Sequence, residues 1–131
     1  MKTLQLTALA LVLALGACSS YEAENGSLFG TTTWAGADID DLINRENGRV
    51  FFDKDDLAVY QVELTTSQED LTVEWRARWF DDQGMEIKDV TRAWRIIHMN
   101  PYAATPVRSI APSMSGVSCR VEVRKHKSLG R

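Results

Sequence analysis

The clearest pattern in the chain is a strict alternation of apolar and polar residues over Leu71–Phe80. Leu71, Val73, Trp75, Ala77 and Trp79 alternate with Thr72, Glu74, Arg76, Arg78 and Phe80. Successive side chains of a β-strand point to opposite faces of its sheet, so this period of two predicts a strand with one buried face. Two tryptophans on the same face indicate that this face contributes to the hydrophobic core.

Further short segments of this kind follow on both sides, separated by turn residues. Asp81, with Gly84 three residues later, indicates a type I turn closed by a left-handed glycine. About six or seven short strands with turns between them predict an all-β protein, a β-sandwich that occupies residues 49–131 and ends in a basic tail. Besides Leu71–Phe80, strands are predicted over Leu57–Thr65, Met85–Val90, Ala93–Met99, Thr105–Ala111 and Val117–Arg124.

The chain before residue 49 has a different character. Ser19–Thr33 is rich in serine, threonine and glycine, which predicts a flexible tether with a reach of roughly 20 Å. Asp38–Asn47 begins with a good N-cap residue and places Ile39, Leu42 and Ile43 on one helical face, which predicts a short helix. Residues 18–48 are therefore expected to connect the N-terminus to the sandwich.

The first residues have the features of a bacterial lipoprotein signal. Lys2 supplies a positive charge, Leu4–Leu15 is an apolar run too short to span a bilayer comfortably, and small residues precede Cys18. This order is typical of a lipobox, in which residues 1–17 are removed and the thiol of Cys18 carries lipid. The alternative is an ordinary secretory signal cut after Ala17, which leaves Cys18 free or disulfide-bonded.

The residue after the cysteine bears on the location of the protein. Ser19 stands where an aspartate tends to retain Gram-negative lipoproteins in the inner membrane. The expected location is therefore the periplasmic face of the outer membrane, with the lipid on Cys18 as the membrane contact. The second cysteine, Cys119, lies on the apolar side of Val117–Arg124 and is expected to be a small buried hydrophobic residue.

A family resemblance is carried by Leu71–Glu86, in which a strand ending in an aromatic pair runs into an Asp-x-x-Gly turn and a Met-Glu return strand. This stretch resembles the YcfL family of small bacterial lipoproteins. Trp94, Ala111-Pro112 and Arg120–Arg124 also fall where that family has matching residues, whereas Thr65-Thr66 departs from its pattern. The resemblance implies an immunoglobulin-like β-sandwich in the periplasm, and it implies no enzymatic activity.

Residue patterns that would indicate catalysis, metal binding or nucleic-acid binding are weak in this chain. His98 has no accompanying nucleophile motif and is expected to be a structural histidine. Asp38–Asp41 and Asp53–Asp56 lack the spacing of a calcium loop and are interpreted as acidic surface turns. The net charge of −3 gives no reason to expect a nucleic-acid partner. We therefore predict no catalytic residues, no metal and no cofactor.

One set of charged residues suggests a candidate docking patch. If the last strand neighbours Leu71–Phe80, the outward arginines of both strands form one basic surface, unless Glu74 and Glu122 neutralise it across the strands. The residues of this candidate patch are Arg76, Arg78, Arg120 and Arg124.

These observations together predict a lipid-anchored, non-enzymatic interaction or accessory module of the cell envelope. Its partner would be an envelope protein or a cell-wall component. The alternative is a ligand-binding lipoprotein that recognises a cell-wall fragment or another small molecule. That function requires a concave, aromatic-lined pocket with Trp34 or Trp94 in its wall.

Overall fold

The computed structural model describes residues 19–22, 28–36 and 38–127, with side chains from residue 28 onward. The described residues form nine strands in two sheets that pack face to face, which confirms the predicted all-β sandwich with more strands than expected. Sheet 1 has the order β1 (Ser19–Glu22), β2 (Phe29–Trp34), β9 (Ser118–Lys125), β5 (Leu71–Phe80) and β6 (Glu86–Ile87), with β7 (Arg95–Met99) also paired to β5. Sheet 2 has the order β3 (Ile43–Phe52), β4 (Ala58–Thr66) and β8 (Thr105–Ile110).

The core lies between the two sheets, and its largest fully buried side chains are Trp79 and Tyr60. Two buried hydrogen bonds cross this interface. Trp79 Nε1 in sheet 1 donates to Ser109 Oγ in sheet 2 at 2.9 Å, and the hydroxyls of Thr32 and Tyr60 share a bond of 2.6 Å. Buried polar groups that pair in this way avoid the cost of losing water and fix how the sheets align.

The predicted alternation is confirmed along β5, where every second residue is buried and the residues between are half-buried. Cys119 is buried on the inner face of β9, as expected, and its thiol is free. Burial raises the pKa of the Cys119 thiol well above its ordinary value, because a thiolate would lack solvation there.

The turn after β5 is also confirmed. The Asp81 carboxylate accepts hydrogen bonds from the backbone of Gln83 at 3.0 Å and Met85 at 2.9 Å, and Gly84 has a left-handed φ of 79°. The return strand is shorter than predicted, because β6 ends at Ile87 and a 3-10 turn occupies Val90–Arg92. No helix in the part of the chain that the structure describes is long and apolar enough to cross a bilayer.

The prediction of a flexible tether over Ser19–Thr33 is wrong where the structure describes this segment. β1 pairs with β2 in antiparallel fashion, and β2 pairs in parallel with β9, so the sandwich begins well before residue 49. Threonines are β-branched and suit a strand. The lack of a side chain at Gly30 admits the Tyr60 ring, since an added Cβ would lie 2.4 Å from Tyr60 Cδ2.

The short helix predicted over Asp38–Asn47 is also wrong. Residues 38–42 form turns, with Leu42 N donating to Ile39 O at 3.0 Å, and β3 begins at Ile43 opposite Thr66. Ile39 and Ile43 are buried from a turn and a strand end instead of one helical face. The predicted signal segment, residues 1–17, and Cys18 lie outside the described residues.

We expect the Tyr60→Phe variant to lower the free energy of unfolding by about 1–2 kcal/mol, because the Thr32 hydroxyl would be left buried without its partner. Urea denaturation measures this difference. Tyr102→Phe is the matched control, since Tyr102 is 94% exposed and should tolerate the same chemical change. Equal stability of the two variants would contradict a structural role for the Thr32–Tyr60 bond.

Candidate functional site

The outward side chains of β5 and β9 form a continuous charged surface on sheet 1, which we call the arginine face. The two strands are antiparallel neighbours, as the candidate patch required. Cross-strand pairing places Arg76 opposite Glu122, Arg78 opposite Arg120, and Glu74 opposite Arg124. The arginine face comprises Arg76, Arg78, Arg120 and Arg124 with Glu74, Glu86, Glu122, Phe80 and Trp94.

Three of the four predicted arginines are held by carboxylates on this face. Arg76 Nε lies 3.2 Å from Glu122 Oε1, and a terminal nitrogen of Arg78 lies 3.5 Å from the same oxygen. Arg124 Nε lies 2.8 Å from Glu74 Oε2. The neutralisation by Glu74 and Glu122 that the sequence suggested is therefore present, and it limits the net charge of the face.

Glu86 on β6 is a further member of the face, and sequence reasoning missed it. Its two carboxylate oxygens accept from Arg78 Nε at 3.0 Å and from a terminal nitrogen of Arg78 at 2.9 Å, and Arg92 Nε lies 3.0 Å away. The hydrogen bonds from Arg78 hold the pKa of Glu86 below its ordinary value, and the carboxylate raises the pKa of Arg78 in turn. Glu86 was hard to predict because its position depends on how closely the turn after β5 folds back.

Aromatic rings separate the arginines of this face. The guanidinium carbons of Arg76 and Arg124 lie 4.6 Å and 3.8 Å from the centroid of Trp94, so that both guanidinium groups contact this ring. Phe80 is flanked more loosely by Arg78 at 5.6 Å and Arg120 at 5.7 Å. Cation–π contacts and ion pairs together restrict the rotamers of these long side chains.

Arg120 differs from the other three arginines. It is exposed, and no carboxylate oxygen of the described residues lies within 4 Å of its guanidinium nitrogens. Arg78 stands directly opposite it, and like charges at such positions repel. The face therefore keeps one outward positive charge at its β9 side.

The remaining candidates from the sequence lie apart from this network. His98 is exposed, and its Nδ1 shares a hydrogen bond of 2.8 Å with the Thr72 hydroxyl. Asp53 Oδ1 accepts from the backbone of Asp55 at 2.8 Å and of Leu57 at 3.0 Å, which closes the acidic turn. Within residues 28–36 and 38–127, no three His, Cys, Asp or Glu side chains converge on a metal position.

Two open hollows lie beside the strands. One, of about 440 Å³, is lined by residues that include Gly36, Glu74, Arg124 and Lys127, and the other, of about 330 Å³, lies beside Trp34, Asn44 and Arg45. The Trp94 ring lines neither hollow and instead contacts Arg76 and Arg124.

Comparison with known proteins places the chain in a family. A family model described as "Protein of unknown function (DUF1425)" matches residues 39–125, from the turn before β3 to the end of β9. The chain belongs to the DUF1425 family. The DUF1425 match includes every residue of the arginine face, and no curated protein sequence matches the chain significantly.

Two solved structures share the fold of this DUF1425 protein. The Campylobacter jejuni protein cj0090 superposes with a TM-score of 0.60 at 13% identity, covering 72% of this chain and 97% of that chain. A DUF1425 family member from Shewanella sp. pv-4 superposes with a TM-score of 0.58 at 15% identity, covering 81% of this chain and 88% of that chain. At these identities the likeness concerns the fold.

The ion pair of Glu86 generates a pH-dependent prediction. Glu86→Gln should lower the free energy of unfolding at pH 7 by up to about 1 kcal/mol, the usual upper range for pairs near the surface. The folded state lowers the pKa of Glu86. The stabilisation by this ion pair is therefore complete at pH values above the ordinary glutamate pKa of about 4.3, and it is lost as the pH falls through the lower pKa of the folded state.

Urea denaturation at pH 7 and again near pH 3 measures this loss. Glu69→Gln is the matched control, because Glu69 is exposed and no described cation pairs with it. A difference between wild type and Glu86→Gln that stays constant across this pH range would contradict the assigned ion pair.

Proposed function

We propose that this DUF1425 protein is a YcfL-like lipoprotein that serves as a non-enzymatic interaction module of the bacterial envelope. Lipid on Cys18 anchors it to the periplasmic face of the outer membrane, and the arginine face binds another envelope component. The observation that carries the proposal is the fixed arrangement of arginines, carboxylates and aromatic rings on the outer surface of sheet 1.

The composition of the arginine face favours protein recognition. Arginine and tryptophan are enriched at protein–protein interfaces and often dominate their binding energy. Here the Trp94 ring is held between Arg76 and Arg124, and Arg78 is held by Glu86. Side chains that are already ordered lose little conformational entropy when a partner binds. Next to them Ile96 is 62% exposed, which adds apolar contact area to the same surface.

The position of β1 supports lipid attachment over a disulfide at Cys18. Cys18 directly precedes Ser19, which lies opposite Thr32 on one side of β2, whereas Cys119 lies opposite Gly30 on the other side. Strands on the two sides of β2 are about 9–10 Å apart, which exceeds the Cα separation of about 4.4–6.8 Å that a disulfide requires. The described start of β1, at Ser19, therefore lies on the opposite side of β2 from Cys119, which favours lipid over an intramolecular disulfide in this proposal.

The same position changes the expected geometry of the anchor. The tether predicted from the sequence would have separated the sandwich from the bilayer, but β1 begins at the residue directly after Cys18. A lipid on Cys18 would therefore hold sheet 1 close to the membrane surface. A partner of the arginine face would be a protein that is itself at, or close to, the outer membrane.

The alternative function, binding of a cell-wall fragment, has one supporting observation. The hollow beside Trp34 offers an aromatic ring together with polar groups of Asn44 and Arg45. The Trp34 ring also stacks on Arg45, with 5.0 Å between the guanidinium carbon and the ring centroid. This hollow is open and mainly polar in its lining, unlike the enclosed apolar sites that most small ligands occupy. The interaction module is therefore the better-supported function.

Lipid attachment is tested by labelling cells with radioactive palmitate. We expect the full-length protein and the Cys119→Ala variant to carry the label and to sediment with membranes, whereas Cys18→Ala carries none, because only Cys18 accepts lipid. Cys119→Ala controls for loss of a cysteine elsewhere in the chain. Label retained in Cys18→Ala, or absent from both other proteins, would contradict the anchor.

The interaction face is tested by a photoreactive phenylalanine analogue at Ile96 in the membrane-anchored protein. We expect adducts to one discrete envelope protein, and their loss when Trp94 is also replaced by alanine. Met114 is the matched control position, since its side chain is 71% exposed, compared with 62% for Ile96. Adducts that form equally at both positions, or at neither, would contradict binding through the arginine face.

A further inference from the structure

The outer face of sheet 2 carries a second surface that the sequence patterns did not indicate. Cross-strand pairing on β3, β4 and β8 aligns Arg49, Gln61 and Arg108 in one row, which we call the cationic row. The next outward row along the same strands, the apolar row, contains Phe51, Val59 and Ile110. The two rows are two residues apart along each strand, or about 7 Å.

The arginines of the cationic row form no ion pair with any carboxylate of the described residues. Arg49 and Arg108 are both exposed, and neither forms an ion pair with a described carboxylate. Both guanidinium groups instead flank the Phe51 ring, with 4.8 Å and 5.8 Å between their central carbons and its centroid. The nearby carboxylate of Glu63 accepts a hydrogen bond of 2.7 Å from the Asn47 side chain.

This arrangement contrasts with the arginine face of sheet 1, where Glu74, Glu86 and Glu122 hold three of the arginines. On sheet 2 the guanidinium groups are oriented by an aromatic ring, and their N–H donors remain available to another acceptor. Planar guanidinium groups match a carboxylate geometrically, and such charge-assisted hydrogen bonds are among the stronger polar contacts.

The apolar row adds a second requirement for the partner. Ile110 is 41% exposed and Phe51 is half-buried, while Val59, which pairs with both of them, is fully buried. We propose that the outer face of sheet 2 binds an acidic, amphipathic polypeptide segment. A carboxylate of the bound segment pairs with Arg49 and Arg108, which lie on either side of Gln61. An apolar side chain two residues further along the bound segment covers Phe51 and Ile110.

An anionic lipid would share this chemistry, but the neighbouring turn disfavours it. The apolar row lies next to the turn between β3 and β4. This turn directly follows Phe52 and contains three acidic residues, Asp53, Asp55 and Asp56. Seating this face on an anionic bilayer would bring these carboxylates against lipid phosphates, whereas a polypeptide segment can end or turn before it reaches them. The proposal involves a different face from the proposed function and does not depend on lipid at Cys18.

The test uses full-length protein in detergent and a fluorescein-labelled synthetic peptide of three Glu-Ser-Leu-Ser repeats. In an extended peptide this sequence places Glu and Leu two residues apart on one face. We expect fluorescence anisotropy to report binding that weakens with added salt, because the contacts are partly electrostatic. The Arg49→Gln, Arg108→Gln double variant should bind about tenfold more weakly.

Matched controls distinguish binding at Arg49 and Arg108 from nonspecific electrostatic attraction between the acidic peptide and the protein. Arg95→Gln removes an exposed arginine of β7 in sheet 1 that, like Arg49, contacts an aromatic ring and has no ion pair with a described carboxylate, and it should leave peptide affinity unchanged. Peptides with Gln or Lys in place of Glu should fail to bind the wild type, which tests the proposal without altering the protein. Thermal unfolding of each variant confirms that it is folded.

Three results would overturn the proposal: no binding of the Glu peptide, equal weakening by Arg95→Gln, or equal binding of the Gln peptide. Vesicles of phosphatidylglycerol provide the membrane comparison. Vesicle binding that requires Arg49 and Arg108, in the absence of peptide binding, would assign the face to lipid and also overturn the proposal.

Discussion

The burial of Trp79, with its Nε1–H donated to Ser109 across the sandwich, fixes the register of β5 against sheet 2. Side chains alternate along a strand, so a shift of one residue would turn Arg78 and Phe80 into the core and Trp79 into solvent. The register of β5 in turn sets the pairing with β9, which places Glu122 opposite Arg76. The arginine face is therefore a consequence of how the core is packed on the other side of the same strands.

The two outer faces of the sandwich order their arginines in different ways. On sheet 1, carboxylates and rings together hold the guanidinium groups, so most of the charge is compensated within the molecule. On sheet 2, one ring holds Arg49 and Arg108, and no described carboxylate compensates them. Charges that are already paired within the molecule mainly keep side chains in position for a partner. Unpaired charges favour a partner that carries the opposite charge. The two faces are thus suited to different contacts.

Much of the sandwich was predictable from the sequence because β4, β5, β8 and β9 each bury one side, and a period of two is visible in their residues. β2 was missed because Gly30 and the adjacent threonines resemble a linker in composition. Its strand character depends on β9, which is distant in sequence, and on the space that Gly30 leaves for Tyr60. Ile39 and Ile43 fit a helical spacing by coincidence, since a turn followed by a strand buries both.

The candidate site was predictable only in part, for a related reason. β5 and β9 carry the four arginines and their partners Glu74 and Glu122, and buried and exposed residues alternate along both strands. The sequence therefore predicted that these charged residues share one face, provided that the two strands are neighbours. Glu86 follows the turn after β5, and Trp94 lies in the short connection before β7. A repeat of apolar and polar residues does not predict the path of such segments, so their place on the face could not be foreseen. Arg49 and Arg108 meet only because β4 lies between their strands, and strand order is not encoded in local pattern.

The position of β1 decides what a lipid on Cys18 would do to these surfaces. β1 is the edge strand of sheet 1, and it also lies beside β3, the edge strand of sheet 2. The first described residue, Ser19, therefore lies at an edge that the two sheets share, with β2 between β1 and the strands of the arginine face. A group attached next to this edge leaves the outer faces of both sheets uncovered, because neither the arginine face nor the rows of sheet 2 include β1.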